Sequence, residues 1–139
     1  MSDIRWSVEA KVNPTEDEHK VERAIKNLFP NIQLSLVKDA EERTILKGHT
    51  QGLQGLSAFR ELLKRERIRA AARSIMFSSV SDSGLVINLN KQAAFAGHVS
   101  FAIEPGESPL GPITVKLECS EPKSLIEWLA QTDHRARHG

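Results

Sequence analysis

The chain alternates before it does anything else. Ile4, Trp6, Val8, Ala10 and Val12 are apolar, and Arg5, Ser7, Glu9 and Lys11 between them are polar. A period of two predicts a strand with one buried and one wet face. Asn13-Pro14 ends it. Glu16, Asp17 and Glu18 then open a helix, where negative charge suits the positive end of the helix macrodipole. Three adjacent carboxylates point different ways around a helix, so they read as a helix start and not as a metal site. Val21, Ala24, Ile25 and Leu28 form the apolar stripe, and Pro30 stops the helix.

A second strand is predicted over Ile32, Leu34 and Leu36, and a third from Arg43 to Gly48. A helix follows from about Leu53, with Leu56, Phe59, Leu62 and Leu63 inward. It either continues or breaks near Arg67 and resumes through Ala70, Ala71, Ile75 and Met76. Ser78 to Gly84 reads as a loop. Three further strands are expected, at Leu85–Asn90, His98–Glu104 and Ile113–Cys119. The loop Pro105 to Pro112 is rich in proline and glycine. A last helix starts at Glu121-Pro122, with Leu125, Ile126 and Leu129 as its stripe and Trp128 beside them. The order is β-α-β-β-α-β-β-β-α. Clean alternation in several strands predicts an α+β fold: a mostly antiparallel sheet of about six strands with helices packed on one face. No repeat, low-complexity tract or linker divides the chain, so one domain is expected over 1–139, with a fraying polar tail at 133–139.

"NLNKQAAFAGHVSF" interrupts this sheet. Asn90 is a good N-cap and Gly97 a good C′ residue, with helix formers between them. The stretch predicts a short helical turn, or a tight irregular crossover, joining two strands. Its small alanines let it lie close to the sheet, Phe95 anchors it in the core, and Lys91 and Gln92 are either presented at one end as a contact or are solvated connector residues.

Composition narrows the chemistry. Of 139 residues, 40% are hydrophobic and 27% charged, ordinary for a globular protein. Net charge is +1 from 19 basic and 18 acidic residues, which argues against strong nonspecific nucleic-acid binding. One cysteine, Cys119, rules out an intrachain disulfide and fits the reducing cytoplasm. Neither a signal peptide nor a membrane-spanning run is seen, so no membrane partner is expected.

Basic charge is local. From Arg60 to Arg73 there are six basic residues (Arg60, Lys64, Arg65, Arg67, Arg69, Arg73) and two acidic ones, Glu61 and Glu66. On a continuous helix Arg65, Arg69 and Arg73 share one face, and Arg60, Lys64 and Arg67 another. The cluster reads either as a solvated helix surface with local ion pairs or as a surface that contacts RNA phosphates. "GLQG", Gly52 to Gly55, matches the minimal G-x-x-G of KH domains, but it sits between a strand and a helix. It reads mainly as a turn, with a phosphate held by its amides as the sharper alternative. The β-α-β-β-α-β opening also fits an RNA-recognition motif, but the wet face of the first strand carries no aromatic, so base stacking on the sheet is rejected. His134 and His138 have i,i+4 spacing in the tail but no companion ligands, so no metal is expected. Cys119 falls on the apolar set of its strand and reads as an inert thiol. No P-loop, dinucleotide fingerprint or nucleophile elbow occurs, so no cofactor is expected, and the one enzymatic alternative is action on a small phosphorylated ligand held at Gly52 to Gly55.

The "LNKQAAFAG" block, with the helix ending "RAAARSIMF" and the β-α-β-β opening, resembles an archaeal family of uncharacterised proteins that carry RNA-binding or exosome-associated labels. The likeness covers nearly the whole chain, and Lys91-Gln92-Ala93-Ala94 is its most specific part. It implies a fold like that of the ribosomal protein that binds the 5S RNA, and a homodimer. With the basic helix it points to structured RNA or a ribonucleoprotein as the partner. Arg60, Lys64, Arg65, Arg69 and Arg73 are then the contacts, with Lys91 and Gln92 at the edge. The alternative is a homodimeric protein-interaction module that shares only the fold.

Overall fold

The computed structural model describes residues 3–102 and 110–131. The alternation from Ile4 to Val12 becomes β1, Arg5–Lys11. It is the centre of a five-stranded sheet with β2 (Ser35–Lys38), β3 (Thr44–Gln51), β4 (Gly84–Leu89) and β5 (Ile113–Glu118), in the order β2-β3-β1-β5-β4. Every pairing is antiparallel. The helices are α1 (Glu18–Leu28), α2 (Ser57–Arg65), α3 (Arg69–Ser78), α4 (Lys91–Phe95) and α5 (Pro122–Leu129). The α+β class and the antiparallel sheet are as the sequence predicts.

Among the described residues the strands number five, not six. In place of a strand from His98, only Phe101 bridges Leu89, flanked by the bonds Asn90 N–Ser100 O (2.7 Å) and Ala102 N–Asn88 O (2.9 Å). Residues 103–104, the end of that expected strand, lie outside the described residues, as do most of the loop after it and the tail from 132. The second strand also begins later than its alternation suggests. Ile32 is buried in the turn after α1, and pairing with β3 starts at Ser35.

Register explains which face is covered. Trp6, Val8 and Ala10 share one side with Leu46 of β3, Ile113, Val115 and Leu117 of β5, and Leu85, Ile87 and Leu89 of β4. All of these are buried, and they meet the stripes of the helices: Val21, Ile25 and Leu28; Phe59, Leu62 and Leu63; Met76; Leu125, Ile126 and Leu129. Phe29 sits between Trp6 and Phe59, with ring centroids 5.3 and 5.2 Å away, distances favoured by aromatic pairs. The opposite face carries Arg5, Ser7, Glu9 and Lys11 beside Lys47, His49, Thr114 and Lys116, all partly or fully exposed.

The long predicted helix breaks. Arg67 adopts φ 59°, in the left-handed region, and separates α2 from α3. Glu66 secures the break: its carboxylate accepts the Val99 N–H at 3.1 Å and meets His98 Nδ1 at 3.1 Å.

Candidate nucleic-acid interface

The break rearranges the basic cluster. Arg65 no longer shares a face with Arg69 and Arg73, because a continuous helix does not join them. Arg60, on the second turn of α2, lies against α5. Its Nε donates to the Trp128 carbonyl at 2.8 Å, and its guanidinium stands 5.0 Å from the Trp128 ring centroid. Arg73 forms a two-pronged ion pair with Glu127, Nη2 to Oε2 at 2.7 Å, and its guanidinium lies 5.2 Å from the Phe77 ring centroid. These two arginines therefore hold α2 and α3 to α5. Arg69 is half-buried and also has a partner.

Lys64, Arg65 and Arg67 differ. All three are exposed at the corner between α2 and α3, and among the described residues none has a carboxylate within ion-pair distance. The carbonyl end of α2 favours cations there. A shallow hollow of about 160 Å³ adjoins the corner, bordered by Arg60, Glu61, Lys64, Arg69 and Gln131.

The "KQAAF" turn forms as its caps predict. Asn90 Oδ1 accepts the Ala93 N–H at 2.8 Å. Gly97, at φ 84°, donates to Ala94 O at 2.9 Å, and His98 N donates to Ala93 O at 2.9 Å, the two bonds of a Schellman motif. Its side chains point otherwise than expected. Lys91 is not presented at an exposed end. It is 4% exposed, and its ammonium donates to Lys11 O (2.8 Å), Leu110 O (2.9 Å) and Glu16 Oε1 (3.0 Å). Glu16 is held by the Asn13 backbone and side-chain amides, at 2.9 and 2.7 Å. Burial pushes the Glu16 pKa up, but the Asn13 bonds and Lys91 outweigh it and hold the carboxyl below its ordinary 4.5. Helix α1 is capped instead by Asp17, which accepts the His19 N–H at 2.8 Å. Lys91 is thus a structural cation, and Gln92 alone of the pair faces solvent. Nor is Phe95 the anchor: Ala94 is buried and Phe95 is 39% exposed.

The glycines of "GLQG" serve Trp6. Gly52, at φ 87°, donates its N–H to Ile4 O (2.9 Å) and accepts the Trp6 indole N–H (3.1 Å). A Cβ at Gly55 would lie 2.8 Å from the Trp6 ring. The hollow beside Gly55 is lined by Trp6, Asn31, Ile32, Thr50, Gln51 and Gln54, with no ionisable side chain. The Gly52 amide is therefore committed within the fold, and the hollow offers a phosphate no cation. Among the described residues no group of three or more His, Cys, Asp or Glu gathers as a metal site. No helix among them is long and apolar enough to cross a membrane.

A single antiparallel sheet backed by helices, with a cationic corner and a capped turn beside it, defines a class that comparison identifies. Residues 5–119 match a family model described as "RNA binding". A UPF0201 protein of Sulfurisphaera tokodaii is 41% identical over 122 residues, covering 88% of this chain and 83% of that one. One from Thermococcus onnurineus is 41% identical over 123 residues, covering 88% of each. The crystal structure of a UPF0201 protein from Methanococcus jannaschii superposes with a TM-score of 0.80 at 32% identity, covering 91% of this chain and 98% of that one. The chain belongs to this family and to the archaeal UPF0201 proteins.

Proposed function

We propose that the protein is a non-enzymatic cytoplasmic module that docks on the backbone of structured RNA through the corner between α2 and α3. One observation carries this reading: Lys64, Arg65 and Arg67 stand exposed together without a carboxylate partner among the described residues. Arg60 and Arg73, occupied by α5, set the corner's geometry and do not themselves make the contact. The family's description supports RNA as the partner. Near-neutral net charge limits nonspecific attraction, so recognition rests on shape and on a few phosphates. The buried thiol of Cys119 suits a reducing compartment.

The test is fluorescence anisotropy with a panel of structured RNAs over a salt series. The variant Lys64→Glu/Arg65→Glu/Arg67→Glu weakens binding at least tenfold and flattens the salt dependence by roughly 0.7–0.9 in slope per lost phosphate contact. Unchanged affinity and slope overturn the assignment.

A homodimer is a second reading, and the β2 edge favours it. Leu36 is 47% exposed and Val37 is 41% exposed, on the outermost strand of the sheet. An edge with bare backbone and apolar side chains accepts another strand, and an antiparallel β2 of a second copy continues the sheet. Leu36→Lys/Val37→Lys gives a monomer in sedimentation if this holds; an unaltered sedimentation coefficient removes it.

A further inference from the structure

Phe95 is the exposed aromatic of the α1–α4 side, and its surroundings are specific. Asn27 of α1 donates to Ala94 O at 2.9 Å and to Phe95 O at 3.1 Å, which fixes the turn beneath the ring. Lys20 Nζ lies 5.8 Å from the ring centroid and the Arg23 guanidinium 5.9 Å. Both cations project from α1, and both are exposed. Beside the ring runs a groove of about 320 Å³ whose floor is Val21 and Ala24 and whose polar rim includes Lys20, Asp17 and Gln92. That volume is near the lower end of small-ligand sites, roughly 300–1,000 Å³.

The carboxylates there already have hydrogen-bond or ion-pair partners. Glu16 is bound by Lys91 and Asn13. Asp17 accepts the His19 N–H at the start of α1. Glu22 faces Lys26 at 3.4 Å. A flat apolar ring thus lies beneath two exposed cations that have no carboxylate partner among the described residues, with one exposed amide, Gln92, on the rim. An aromatic face stacks a nucleobase, flanking cations meet the phosphates on either side, and a side-chain amide reads a base edge.

We propose that Phe95 stacks one unpaired RNA base, with Lys20 and Arg23 on its flanking phosphates and Gln92 on its edge. This deepens the RNA reading and rests on it. Under it the protein contacts RNA at two places of different kind: phosphates at the α2–α3 corner, and a flipped or looped base at α4. Exposed Phe95 sits on the helical side, so the lack of aromatics on the open sheet face does not bear on it.

The experiment uses the full chain and two probes: a hairpin RNA with 2-aminopurine in its loop, and a blunt duplex of the same stem. Wild-type protein should change the 2-aminopurine fluorescence and bind the hairpin ~10-fold tighter than the duplex, a single stacking contact's worth. Phe95→Leu should erase that preference and the fluorescence change while leaving duplex affinity alone. Phe95→Trp should keep both. Phe95 is exposed, so neither variant tests folding. Wild-type fluorescence and affinity in Phe95→Leu overturn the proposal while leaving the RNA reading intact. A Phe95→Leu effect that survives when the Lys64/Arg65/Arg67 reversal has none overturns the corner assignment and keeps the stacking site. Altered self-association without altered RNA binding makes Phe95 a protein contact and overturns the proposal. No binding of either RNA by the wild type overturns both readings.

Discussion

The Lys91 ammonium lies 3.0 Å from the Glu16 carboxylate, across 75 residues of chain, and both side chains are almost fully out of water. The pair also closes on two backbone carbonyls, of Lys11 and Leu110. It therefore joins the end of β1, the approach to α1, the start of α4 and the approach to β5.

Removing one partner strands the other. Lys91→Met leaves Glu16 without its counter-ion and two carbonyls without a donor. It should cost about 3–5 kcal/mol, the range for breaking a buried pair from one side. Lys91→Met with Glu16→Gln should cost less than the sum of the two single changes, by about 1 kcal/mol or more of coupling. Urea denaturation of the four proteins measures it. Simple additivity would show the pair to be independent.

Acid should attack the same node. The Glu16 pKa is lower in the folded chain than its ordinary 4.5. A depressed carboxyl contributes stability that is fully present above the unfolded pKa and is lost as pH falls through the folded value. Stability should thus drop below about pH 4.5, and Glu16→Gln should flatten that limb of the curve. Equal slopes in both proteins would place the acid sensitivity elsewhere.

Two glycines should respond differently to alanine. A Cβ at Gly84 would fall 1.9 Å from the Leu117 carbonyl oxygen, where β4 meets β5. At Gly52 a Cβ meets nothing within 4 Å, but φ is 87°. Gly52→Ala should cost about 1–2 kcal/mol of backbone strain. Gly84→Ala must move a strand and should cost about 3 kcal/mol or more. Thermal melts of the two variants decide the order; a milder Gly84→Ala would mean that β4 shifts freely.

Arg60 should behave as a packing residue. Arg60→Ala loses its bond to the Trp128 carbonyl and its ring contact, about 1–2 kcal/mol together. Lys64→Ala and Arg65→Ala should stay within ~0.5 kcal/mol, as exposed positions do. The contrast separates structural arginines from those available to RNA. Equal losses at all three would join them into one network.

What the sequence showed and what it hid follows from range. Strand β1 and strand β5 alternate cleanly, and the stripes of α1, α2 and α5 repeat at helical spacing, so local periodicity reveals them. Asn90 and Gly97 mark the α4 turn because capping is also local. Lys91 is different: its burial needs Glu16 and Leu110, which no nearby residue announces. The five-residue α4 is too short for a stripe, so which of Ala94 and Phe95 turns inward depends on α1 and on Asn27. The break at Arg67 stayed an open alternative because no glycine or proline marks it; Glu66 reaching to Val99 enforces it from a distance. Phe101 continues the alternation after Gly97 but makes only a bridge to Leu89.

Cys119 is buried, and desolvation raises its thiol pKa, so little thiolate forms at neutral pH. It is also the chain's sole sulfhydryl. The native molecule is therefore nearly silent toward maleimides and alkylating reagents. One cysteine introduced at Ser7, on the far side of the sheet from both proposed contacts, accepts a dye or a surface tether at a single defined point. The protein can then be immobilised with its helical side facing the solution.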